Sequence, residues 1–119
     1  MLKNNGALSN FYGKKGEDMA VKYLKKQKYK ILERNFSCKF GEIDIIAKDK
    51  DTIVFVEVKL KNSADFGLPR ERITPTKLKK IKTTANLYLS MHNLVGFPAR
   101  FDAVEILYET IEHIKNILS

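Results

Sequence analysis

The chain has 119 residues, 44% of them hydrophobic and 30% charged, with a formal net charge of +8. That length suits one domain with its own core, and the composition excludes a disordered or low-complexity chain. The lone Cys38 excludes an internal disulfide and leaves no CxxC or Cys/His cluster for zinc.

The opening stretch MLKNNGALSNFYGKK lacks the apolar run of a signal peptide, and no segment approaches the roughly 20 apolar residues that cross a bilayer. A cytoplasmic protein without membrane contact is expected, a single domain over 1–119 whose first nine residues, 1–9, form a flexible N-terminus. Over residues 10–27, Gly16, Met19, Ala20, Tyr23 and Leu24 recur at helical spacing with lysines between them, which predicts a first helix. YKILERNF at 29–36 predicts a strand. GEIDIIAKD and TIVFVEVKLK, separated by the polar KDKD at 48–51, predict two more, and together the three form an antiparallel meander.

NSADFGLPRERIT reads as loop, and Thr74 before Pro75 reads as an N-cap with proline in the first helical position. The second helix buries Leu78, Ile81, Ala85 and Tyr88 and ends near His92. ARFDAVEIL predicts a fourth strand. The last run, IEHIKNIL, fits helix or strand, and a strand with a short tail is preferred. Helices packed across a sheet make the fold class α/β.

The chemistry gathers in the hairpin FGEIDIIAKDKDTIVFVEVKLK. Side chains alternate along a strand, so Ile43, Ile45 and Ala47 share one face and leave Glu42, Asp44 and Ile46 on the other. In the next strand Phe55, Glu57 and Lys59 oppose Val54, Val56 and Val58. A two-residue turn at Lys50 and Asp51, or a four-residue one, sets Asp44 across from Glu57, Ile46 across from Phe55 and Glu42 across from Lys59. Two opposed carboxylates call for a cation between them. Hard oxygen donors on rigid strands suit Mg²⁺ or Mn²⁺, with Lys59 as a positive charge beside the ion. That combination serves phosphodiester hydrolysis. A solvated cross-strand ion pair is the structural alternative for Glu57 and Lys59.

GKKGEDMAVKYL, YKILERNF, GEIDIIAKD, VFVEVKLK, the FGLP loop and RFDAV, in this order over residues 13–104, resemble the YraN-like family of small bacterial proteins. That family has the core of the PD-(D/E)xK nuclease superfamily and is similar to the archaeal Holliday junction resolvases. The resemblance implies a restriction-endonuclease-like core: a central mixed β-sheet with an antiparallel hairpin, flanked by helices. It implies Asp44 and Glu57 as metal ligands, the Val58 backbone carbonyl completing the coordination, Lys59 as catalytic lysine and Glu17 as an extra acid binding metal directly or through water. Ile43 stands where the superfamily name has proline. Lys61 stands at the family's arginine, a candidate for the substrate backbone, but lysine lacks arginine's bidentate fork.

The basic excess favours an anionic partner. Arg70 and Arg72 in the loop, with Lys77, Lys79, Lys80 and Lys82 on the second helix, suit a phosphate backbone, and a solvated helix face explains them equally well. Arg100 and Asp102 read as an internal ion pair, the tyrosines Tyr12, Tyr23, Tyr29 and Tyr88 as packing, and neither His92 nor His113 is given a role. The expected function is a Mg²⁺-dependent endonuclease acting on DNA, branched or junction DNA included, with a homodimer by analogy to the resolvases. Two other classes stay open: a non-catalytic DNA-binding or scaffold module of the same fold, and an RNA-binding protein.

Overall fold

A computed structural model describes residues 5–61 and 74–118, with side chains from residue 14 onward. The elements in chain order are α1 (Asn5–Lys26), β1 (Lys30–Cys38), β2 (Gly41–Asp49), β3 (Thr52–Lys61), α2 (Pro75–Met91), β4 (Ala99–Leu107) and β5 (Thr110–Ile114). Helix α1 starts at Asn5, ahead of the first helix expected over residues 10–27. The FGLP loop, Arg70 and Arg72 lie outside the described residues.

The five strands form one sheet in the order β1-β2-β3-β4-β5. Strands β1 to β3 are the expected antiparallel meander, β4 runs parallel to β3, and β5 returns antiparallel to β4. The parallel step requires a crossover, which α2 provides. The run after Leu107 is a short strand and tail, as preferred from its sequence. This mixed α/β arrangement is that of a restriction-endonuclease-like core.

Each helix covers one face of the sheet. Ala20 and Leu24 of α1 bury against Ile45, Ala47, Val54, Val56, Val104 and Ile106. On the other face Ala85 and Tyr88 of α2 close over Phe36, Ile43, Ile46, Ile53 and Phe55. Each such apolar side chain taken fully out of water contributes about 1.5–3 kcal/mol. Helix α2 starts where its sequence indicates, with the Thr74 hydroxyl accepting from the Lys77 N–H at 3.2 Å and Pro75 in the first turn. It ends with His92 as C-cap. Gly16 gives α1 its approach to β3, since a Cβ there would stand 2.9 Å from a Leu60 methyl carbon.

One expectation about the sheet is corrected. Ile43, Ile45 and Ala47 do not share a face: Ile45 and Ala47 join the α1 cluster and Ile43 the α2 cluster. The neighbouring strand changes face at the same place, where Asn35 takes a left-handed φ of 54° between Arg34, opposite Ile45, and Phe36, opposite Ile43. A left-handed residue breaks the two-residue alternation, so Arg34 reaches α1 while Phe36 packs on Tyr88 of α2. Asp44 sits at this crossover.

Candidate functional site

The β2–β3 turn has two residues, Lys50 and Asp51, and the ladder runs from Asp49 opposite Thr52 through Ile46 opposite Phe55 to Ile45 opposite Val56. It gives out at the next position. There the Asp44 carboxylate replaces backbone as the acceptor, taking the Val58 N–H at 2.8 Å. Beyond Val56 the sheet therefore opens into a fork, with Asp44 on one prong and Glu57 on the other. The register that the turn predicts holds as far as Ile45 opposite Val56, and the ladder does not include the expected pair of Asp44 across from Glu57.

Acids gather at this fork from both layers. Glu17 of α1 is largely covered, with 13% of its side chain exposed, and is held by the Asn35 amide at 2.8 Å and by Arg34 at 3.3 Å. Arg34 also binds Asp18 at 2.6 Å. Burial drives the Asp44 pKa up to about 6, against the opposing effect of the Val58 hydrogen bond, and the charges of Glu17, Glu57 and Glu42 push it in the same direction. Four carboxylates thus share one field, and Asp44 bears the cost.

Glu57 already has a cation. The Lys77 ammonium, from the first turn of α2, lies 2.6 Å from its Oε1. A cleft of about 90 Å³ opens here, with Glu42, Asp44, Glu57 and Lys77 on its polar side and Phe55, Ile81, Phe101 and Ile117 among its apolar walls.

The remaining candidate residues divide. Lys59 is exposed and makes no ion pair among the described residues, and the expected Glu42–Lys59 pairing is absent there too. Val58 meets the site through its N–H. Lys61 lies 3.0 Å from Glu105, a carboxylate only 3% exposed that nothing in the sequence marks as its partner. Lys79 and Lys80 are exposed on α2.

On β4, where Asp102 lies opposite Val56 and also lines the cleft, the Arg100–Asp102 ion pair read from the sequence is present at 3.1 Å. What sequence reasoning missed is its extent. Asp102 is fully buried and also accepts from His113 Nε2 at 2.7 Å and from the Asn116 N–H at 3.0 Å. A carboxylate only accepts, so His113 Nε2 carries a proton, and its Nδ1 lies 3.2 Å from the Tyr23 hydroxyl. Arg100 reaches on to the Tyr29 hydroxyl and to Asp49. Burial would raise the Asp102 pKa, but the bonds from His113, Asn116 and Arg100 outweigh it and hold the pKa below its usual value. The only sequence signal was Asp102 set between Phe101 and Ala103 in a strand that also carries Arg100 and Glu105.

Among the described residues no three acidic, histidine or cysteine side chains converge closely enough to enclose a metal ion. Mg²⁺ does not require that, because it retains several waters and is commonly held by one or two carboxylates. The donor set fits such an ion: hard oxygens, an excess of negative charge around Asp44, and an ammonium standing as cation on Glu57. Among the described residues no helix is long and apolar enough to cross a membrane.

The uncharacterised protein family UPF0102 matches residues 16–106, a span that contains the whole fork. A UPF0102 protein of Persephonella marina is 52% identical over 104 residues, covering 87% of this chain and 90% of that protein. One of Geotalea uraniireducens is 50% identical over 121 residues, covering 98% and 95%. One of Clostridium botulinum is 52% identical over 102 residues, covering 83% and 81%.

Proposed function

The chain belongs to the uncharacterised protein family UPF0102, and we propose that it is a Mg²⁺- or Mn²⁺-dependent DNA endonuclease whose site is the fork between β2 and β3. The observation that carries the reading is the place of the Asp44 carboxylate, held by the Val58 N–H at 2.8 Å where the β2–β3 ladder ends and lining one cleft with Glu42 and Glu57. Burial and the charges of Glu17, Glu57 and Glu42 push its pKa up, and strongly displaced carboxylates gather at functional sites. Asp44 and Glu57 would hold the ion, with Glu17 behind them. The bound ion supplies a water of lowered pKa and polarises the scissile phosphate.

The chain's own residues do the rest. Lys59, exposed two residues beyond Glu57 and without an ion pair among the described residues, offers its ammonium to the developing phosphate charge. The Val58 N–H fixes the Asp44 carboxylate, so that its orientation is set before a ligand arrives. The basic excess draws a polyanion to the site.

The test is a panel of junction, flap, single-stranded and duplex DNA with Mg²⁺ or Mn²⁺. Wild type should cut at least one member, and Glu57→Ala or Lys59→Ala should abolish cutting, by 100-fold or more on the order of an electrostatic catalytic group, while the far-UV spectrum stays native. Absence of cleavage across the whole panel overturns the reading. One observation favours a second reading, a non-catalytic DNA-binding module: no three potential ligands converge among the described residues. Salt-dependent DNA binding that survives Asp44→Ala and needs no metal would support that module instead.

A further inference from the structure

Helix α2 carries no acidic residue in its first turn, and the residue whose N–H is taken by the cap hydroxyl is Lys77. This is the third helical position, where a glutamate or glutamine would complete a capping box and where the positive end of the helix dipole disfavours an ammonium. Local stability therefore argues for an acid at this position. The lysine is explained by where its charge goes, 2.6 Å from the Glu57 carboxylate.

The pair is built to exchange. Its side chains are 49% and 36% exposed, so water and salt compete with it and it is weak. Lys79 and Lys80, on the same helix, are equally exposed and make no ion pair among the described residues. Charge near the fork is thus neutralised through Lys77 in particular, not through a diffuse basic face.

We propose that Lys77 is an exchanging cation: it neutralises Glu57 in the metal-free protein, gives way to a divalent ion, and then binds a substrate phosphate, so that metal and DNA bind with positive coupling. The proposal rests on the metal-dependent reading above. A divalent ion on Glu57 repels the ammonium at short range, and the flexible four-carbon stem lets it leave without disturbing α2. The displaced ammonium remains beside the helix N-terminus, where backbone N–H groups also favour a phosphate. Linkage makes the effect reciprocal: a phosphate that draws Lys77 away opens Glu57 to metal by the same factor.

The experiment compares wild type, Lys77→Met, Lys77→Gln and Lys79→Met. Calcium serves as the ion because it takes the same oxygen donors. Ca²⁺ affinity is measured by calorimetry without DNA, and affinity for a short duplex by fluorescence anisotropy at fixed salt, with and without Ca²⁺. Both Lys77 variants should bind Ca²⁺ about three-fold tighter, the size expected for losing an exposed competing pair. They should also bind DNA more weakly, and the strengthening of DNA binding by Ca²⁺ should shrink by a similar factor. Lys79→Met should leave Ca²⁺ affinity unchanged. Equal Ca²⁺ affinity in wild type and both Lys77 variants overturns this proposal alone, as does a Lys79→Met effect of the same size. A wild-type protein that binds neither Ca²⁺ nor Mg²⁺ removes the metal-dependent reading and this proposal with it.

Discussion

Two aspartates on strands of the same sheet are treated in opposite ways. Asp102 of β4 is fully buried, yet its pKa is held low, because His113, Arg100 and the Asn116 N–H all donate to it. Asp44 of β2 keeps some exposure, yet its pKa is pushed up to about 6 by burial, which the single N–H of Val58 does not offset and which the charges of Glu17, Glu57 and Glu42 reinforce. Burial alone would raise both; the neighbours decide the sign. The contrast separates a carboxylate that holds the fold together from one that the fold holds in readiness.

The largest effect expected from this contrast is at Asp102. Asp102→Asn removes the charge that faces Arg100. It also turns one of the two accepting oxygens into an N–H donor against donors, Arg100 and Asn116 on one side or Arg100 and His113 on the other. Breaking a buried pair from one side costs about 3–5 kcal/mol. Urea unfolding at neutral pH measures it. The depressed pKa gives the stabilisation its pH range: it is present above the ordinary aspartate pKa and is lost as acid takes the pH down through the lowered value. A loss under about 1 kcal/mol would mean the network is ornamental and would break the comparison.

Next in size, and opposite in sign, is Asp44→Asn. A pKa of about 6 in the folded chain, above the usual 3.8, means the folded state keeps this proton longer than the unfolded state does. Ionisation of Asp44 therefore costs stability as pH rises through about 6, and the cost is complete above that value. The asparagine variant should be more stable than wild type at pH 8, by up to about 3 kcal/mol at roughly 1.4 kcal/mol per tenfold change in proton affinity. The gain should fade towards pH 4. Its amide oxygen can still accept from Val58. Added Mg²⁺ should close the gap by stabilising wild type alone. A variant less stable than wild type at pH 8 would place Asp44 with Asp102 as a structural group.

The difference between the two sites also marks how far the sequence could be read. The hairpin register was legible as far as Ile45 opposite Val56 because a turn of two residues sets the pairs that follow it, and Ile46 does lie opposite Phe55. The helix boundary at Thr74 was legible because a cap and a proline are local signals. The fork was not, since nothing within β2 or β3 marks that their ladder ends at Ile45 opposite Val56 and that the Asp44 carboxylate then takes the Val58 N–H. Nor was the link from Asp102 to His113, which joins residues of β4 and β5 through their side chains. Lys77 on Glu57 is a contact between layers, set by how α2 packs across the sheet, and no periodicity within either element encodes it.

The smallest effect tests whether the acid side of the fork carries any of the fold's stability. Arg34 holds Asp18 at 2.6 Å and Glu17 at 3.3 Å, and is itself 36% exposed. Exposed pairs of this kind are worth under about 1 kcal/mol, so Arg34→Met should lower stability by no more than that in the same urea titration. The stem of methionine keeps much of the apolar contact made by arginine's methylenes. Asn35 still donates to Glu17, so the acid remains tethered. A loss approaching that at Asp102 would show that α1 is anchored through its acids, and the fork would then be part of the frame. A small loss leaves α1 held by Ala20 and Leu24 in the core, and frees Glu17, Asp44 and Glu57 to be arranged for a ligand.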